Sequence, residues 1–140
     1  MPLTINLKPR ERVIVNGVVL ENSGQAAKIL VHNTAALLRE KDILTEEQAK
    51  TPARRIYFAV QCQYLFPGKE HLFLPAIYEF LREFAVAAPS TASLVQDIHR
   101  FVDGGDFYKA LRSARMLIAR EQEILHGASQ EDVSADARAW

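Results

Sequence analysis

The apolar residues of this chain change period partway along, and that change limits the fold more than any other feature. In the opening stretch Leu3, Ile5 and Leu7 alternate with Thr4 and Asn6. A period of two marks a strand with one covered face. Further on, Leu72, Ile77, Phe80, Leu81 and Phe84 recur at helical spacing, which marks a helix with one apolar stripe. The switch falls between Arg39 and Phe58. Strands first and helices after define an α+β class. The sequence therefore predicts a small antiparallel β-meander over residues 1–44, a bundle of about four α-helices over 45–127, and a flexible polar tail over 128–140.

Local chemistry marks the joints. Pro9 offers no N–H to a ladder and should break the first strand. Asn16-Gly17 separates Arg12–Val15 from Val18–Leu20, and both residues tolerate the positive φ of a tight hairpin. Glu21 to Gly24 is turn chemistry again; Ala27–Val31 and Ala36–Leu38 read as the last strands. Strands this short make no stable sheet alone, so the helices or a second subunit must cover them. In the second half Thr45 and Gln48 have capping-box spacing, and Pro52 suits the first turn of a helix through Phe66. A second helix over 70–87 carries Pro75 near its start. A third runs from a Ser90 cap to Gly104-Gly105, and a fourth from an Asp106 cap to a stop at Gly127.

Several chemistries are absent from the sequence. Cys62 is the one cysteine, so no internal disulfide forms, and its apolar neighbours read it as a small core residue. His32, His71, His99 and His126 do not pair at metal-ligand spacing. Neither G-x-x-x-x-G-K-[ST] nor G-x-G-x-x-G occurs, and no serine sits in a nucleophile elbow. No enzyme, metal or cofactor is expected. No apolar run is long enough to cross a bilayer, and the N-terminus lacks a charged start followed by an apolar run. A cytoplasmic protein without membrane contact is expected.

Charge points to binding. The net charge is zero, yet residues 1–64 hold nine Lys/Arg against six Asp/Glu and residues 65–140 hold eight against eleven. A basic first half suits a polyanion, whose phosphates attract lysine and arginine with salt-sensitive affinity. The alternative is a seam in which Asp42, Glu46 and Glu47 neutralise those cations. The candidate polyanion contacts are Lys8, Arg10, Arg39, Lys41, Arg54 and Arg55, with Tyr57 as a candidate base-stacking ring beside the arginine pair. The remaining aromatics recur at helical spacing and read as core, with Phe107-Tyr108-Lys109 as a candidate protein-docking edge.

Five blocks then carry a resemblance: I-N-L-K-P at 5–9, E-R-V-I-V-N-G at 11–17, L-R-E-K-D-I-L at 38–44, T-P-A-R-R-I-Y-F at 51–58 and F-Y-K-A-L-R-S-A-R-M-L-I at 107–118. In this order the chain resembles the FlbT flagellar biosynthesis repressor family. The resemblance implies a post-transcriptional regulator that associates with the 5′ untranslated region of flagellin mRNA and lowers flagellin synthesis. One segment departs from the family pattern: Ser23 to Lys28 stands where relatives carry Gly-Asp and paired arginines. That departure implies weaker RNA binding or reliance on a partner. A fainter resemblance links the first 44 residues to the carbon-storage regulator CsrA and implies Ile5, Asn6, Lys8, Arg10 and Arg39 along an RNA edge. The competing expectation is a protein-interaction module, in which the acidic, aromatic-rich helices bind flagellin or a small flagellar regulatory protein.

Overall fold

The computed structural model describes residues 3–132 and is α+β in the expected order. Five strands come first: β1 (Leu3–Leu7), β2 (Arg12–Val15), β3 (Val18–Glu21), β4 (Ala27–Val31) and β5 (Leu37–Arg39). Four helices follow: α1 (Pro52–Leu65), α2 (Glu70–Ala87), α3 (Ala92–Asp103) and α4 (Phe107–Asp132). The Asn16-Gly17 hairpin forms as its chemistry requires, with φ of 52° and 83° at its two residues.

The strands are antiparallel but are not a simple meander. β1 pairs with β4, setting Ile5 opposite Ile29, while β2 lies between β3 and β5 in a second sheet. The turn over residues 8–11 causes the split. Pro9 ends the ladder, Arg10 takes φ of 69°, and the chain steps from one sheet to the other. Asn22 latches that turn, its side-chain amide donating to the carbonyls of Leu7, Lys8 and Gln25.

Alternation then sorts the second sheet's faces. Ile14 and Leu38 are cross-strand partners and join the helical core. Val13, Val15 and Leu37 point the other way and pack with Ile5, Leu7 and Val31 of the first sheet. The second sheet is thus a filling between the first sheet and the helices.

Among the helices, α1 packs against both α2 and α4, and α3 against α4. Ile56, Ile77, Leu81, Ile98, Leu111 and Leu117 are fully buried at their junction. Thr51 caps α1 by accepting from the Arg54 N–H. The buried carboxylate of Glu121, reaching from α4, accepts the Ala53 N–H at 3.0 Å. Together they satisfy donors that a helix start leaves open. Pro75 sits inside α2 on an exposed stretch where water can reach the carbonyl it leaves unpaired.

Three boundaries differ from expectation. Thr45 and Gln48 make both bonds of a capping box, but the box closes a single 3₁₀ turn, Glu46–Gln48, rather than opening α1. Ser90 lies within a 3₁₀ turn, Pro89–Thr91, and α3 starts after it. Gly127 does not stop the fourth helix, which continues to Asp132. A glycine stops a helix by turning left-handed, and Gly127 is not among the glycines with positive φ. Of the expected tail over 128–140, residues 128–132 belong to this helix and 133–140 lie outside the described residues.

Gly17 provides a test of this architecture. A Cβ there would lie 3.0 Å from Phe66 Cε1 and 3.3 Å from the Leu65 carbonyl oxygen, at a φ that disfavours side chains. Gly17→Ala should destabilise the chain by about 1–2 kcal/mol or more, measured as a shift in urea midpoint.

Candidate nucleic-acid interface

The seam between the lobes is built from one stripe of α1. Tyr57, Gln61 and Tyr64 are spaced four and three apart and so share a helix face. All three turn to the backbone of residues 37–44. The Tyr64 hydroxyl accepts from the Leu37 N–H at 3.0 Å and donates to the Leu37 carbonyl at 3.1 Å. The Gln61 amide accepts from the Leu44 N–H and donates to the Leu44 carbonyl, both at 2.9 Å. The Tyr57 hydroxyl donates to the Asp42 carbonyl at 2.6 Å. Arg115 of α4 completes the clasp, reaching the Asp42 carboxylate at 2.6 Å. Burial pushes the Tyr57 phenol above its ordinary pKa, with Arg115 opposing. Burial does the same for Tyr64.

Tyr57 is therefore no stacking platform. Its ring is 3% exposed, and a base needs an open aromatic face. Arg39 is corrected as well. It lies on the face of β5 that meets the first sheet, opposite Val13. Its guanidinium donates to the Asn6 carbonyl at 2.7 Å and to Glu11 at 3.1 Å. It ties the two sheets together, and its Nε is buried without a partner. Ile5 is buried in the sandwich, so it lines no RNA edge.

Lys8, Arg10 and Lys41 behave differently. With Pro9, Glu11 and Glu40 they line one open depression of about 460 Å³. All three are exposed. Among the described residues none of them enters an ion pair, because the two carboxylates at hand are engaged elsewhere. Glu11 accepts from the Lys8 N–H at 2.9 Å and pairs with Arg39, and these bonds hold its carboxyl below the ordinary glutamate value. Glu40 accepts the Arg12 N–H at 2.7 Å. These bonds hold both carboxylates out of ion-pair contact with Lys8, Arg10 and Lys41, whose side chains face solvent.

Arg54 and Arg55 stand apart. Arg54 is half-buried, and Arg55 borders a separate cleft of about 140 Å³ with Pro52, Phe80, Glu83 and Phe84. The candidates consequently divide into an open trio, a tie between sheets, a helix-borne pair and a buried clasp. Cys62 is half-buried, its thiol pushed up by burial. Among the described residues no cluster of three metal-binding side chains forms, and no helix is long and apolar enough to cross a membrane.

An α+β protein with a clasped seam and an open cationic depression is the class these features define. The profile of the family described as "Flagellar protein FlbT" matches residues 3–125, and the chain belongs to that family. A "Probable flagellum biosynthesis repressor protein FlbT" from Rhodopseudomonas palustris (strain TIE-1) is 41% identical over 128 residues, covering 89% of this chain and 98% of the relative. The "Flagellum biosynthesis repressor protein FlbT" of Caulobacter vibrioides (strain ATCC 19089 / CIP 103742 / CB 15) is 37% identical over 141 residues, covering 98% of this chain and 99% of the relative. No solved structure matches the chain.

Two measurements check the seam. Gln61→Leu removes a donor and an acceptor at once and leaves two Leu44 groups unpaired, which should cost about 1–3 kcal/mol in chemical denaturation. Glu11 has a pKa lowered from 4.5 on folding, so its contribution is fully present above that value and is lost as pH falls through the folded one. The stability difference between the wild type and Glu11→Gln should shrink as pH drops below 4.5.

Proposed function

We propose that this chain lowers flagellin synthesis by binding the 5′ untranslated region of flagellin mRNA through the depression of Lys8, Arg10 and Lys41. The family match and the relatives' names support a regulator of flagellum synthesis, which is not an enzymatic role. The observation carrying the finer reading is the convergence of three exposed cations, from two separate segments, on one depression whose carboxylates are already engaged.

An RNA backbone supplies the phosphates that such a trio attracts. Specificity would come from unpaired bases read on their edges, and repression from occlusion of the ribosome's landing site or from exposure of the leader to nucleases. The turn at 23–28 carries only Lys28 as a cation, so the 8–10 turn bears most of the load in the β lobe.

A second reading is favoured by one feature of the helical half. A groove of about 570 Å³ runs between α2 and α3, lined by Pro75, Tyr78, Leu81, Ala85, Val95 and His99 together with the charged Glu79 and Arg82. It offers a mixed apolar and charged track for an amphipathic helix of flagellin or a small flagellar regulator. At its end Tyr78 bonds Asp103 at 2.5 Å, which raises the phenol to about 12. Recovery of a flagellar protein in a pull-down that survives nuclease would favour this reading.

The RNA reading predicts the behaviour of a triple variant, Lys8→Ala, Arg10→Ala and Lys41→Ala. It should weaken leader binding and lower the slope of log affinity against log salt by about 2–3, near 0.7–0.9 per lost phosphate contact. Its circular dichroism should match the wild type, since none of the three side chains holds the fold. Unchanged binding by a folded triple variant would sink the assignment.

A further inference from the structure

We infer that the free edge of β3 is an interface with a second copy of this chain. The inference goes beyond the RNA-binding reading and does not rest on it.

β3 is bonded to β2 on one side only, and all four of its residues are exposed. An open strand edge is a template for pairing, which single-chain proteins blunt with lysine, proline or a bulge. β3, reading Val-Val-Leu-Glu, has none of these. Val18, Val19 and Leu20 are 57%, 59% and 48% exposed. Glu21, the one charge, is already paired with Arg12 at 3.0 Å.

Register shows why this edge is unfinished. Val18 and Leu20 stand opposite Val15 and Val13, so they lie on the face that packs against the first sheet. That sheet does not reach them. On its matching face Leu3 and Ile29 are also left 55% and 42% exposed. The apolar side chains of β3 are therefore left as an open mouth at the edge of the second sheet.

A second copy fits this mouth better than a nucleic acid or a charged peptide. An antiparallel β3 pair about a two-fold axis at Val19 sets Val18 of each copy opposite Leu20 of the other. No like charges then face each other, and the apolar cross-strand pairs are favourable. RNA would need cations here, and the strand has none. The exposed parts of Val18, Val19 and Leu20 come to roughly 300 Å² per copy, so a symmetric pair buries about 600 Å², the size of a weak contact that the shared strand hydrogen bonds must reinforce. The dimer should accordingly depend on concentration.

Sedimentation equilibrium of the nuclease-treated full chain tests this. The wild type should rise from 15.8 kDa toward twice that mass as concentration increases. Val19→Lys should remain at 15.8 kDa with unchanged circular dichroism, because it sets two lysines against each other at the axis. Hydrogen exchange on the unmodified chain gives a second readout that needs no variant: the β3 amides should gain protection as concentration rises. A wild type that stays monomeric throughout, a Val19→Lys chain that dimerises equally well, or β3 amides indifferent to concentration would each overturn the inference.

Discussion

The clasp that α1 makes on residues 37–44 is the constraint on which the other features depend. Five short strands cannot hold a sheet by themselves, and they are joined to the helices by a segment with little buried side chain of its own. Tyr57, Gln61 and Tyr64 hold that segment by its backbone, and Arg115 holds its carboxylate. Backbone groups that would otherwise be left unpaired at a part-buried seam become hydrogen-bonded. Ile14 and Leu38 can then enter the helical core and commit the second sheet to it.

The cationic depression follows from that placement. Lys41 is set by β5 and the 3₁₀ turn after it, which the clasp fixes. Lys8 and Arg10 are set by the tight turn between β1 and β2, which Asn22 and Glu11 hold. The Arg39–Glu11 pair joins the two. Its stabilising value as a partly exposed ion pair is small, and it fixes where the Glu11 carboxylate lies relative to the turn. The seam expected from the sequence, with Asp42, Glu46 and Glu47 neutralising the cations, does not form: Arg39 pairs with Glu11, and Asp42 pairs with Arg115. Arg39 makes an ion pair, and among the described residues Lys8, Arg10 and Lys41 do not.

Strand and helix positions were legible because alternation and helical spacing are strong local signals, and because Asn16-Gly17 and Pro52 demand particular backbone shapes. Sheet pairing was not legible: that β1 passes over β2 to reach β4 depends on long-range packing, and only the Arg10 turn hints at it. The capping-box spacing at Thr45 identifies the chemistry but not a helix start, since a single 3₁₀ turn satisfies the same bonds. Within the site, residue type alone could not separate Arg39 from Lys41, as both are cations in one short run. Tyr57 beside two arginines looked like a stacking ring, yet Ala53, Tyr57 and Val60 share one inward face and the tyrosine goes to the core. The polar stripe of Tyr57, Gln61 and Tyr64 within an apolar helix was the missed signal, because buried polar groups in such a helix need partners elsewhere.

Photo-crosslinking of a flagellin mRNA leader followed by peptide mapping asks whether RNA lies in the β-lobe depression. Crosslinks confined to peptides containing residues 8–12 and 40–41, and lost in excess unlabelled leader but not in unrelated RNA, are the predicted result. Crosslinks mapping to α2 and α3, or competed equally by any RNA, would contradict it.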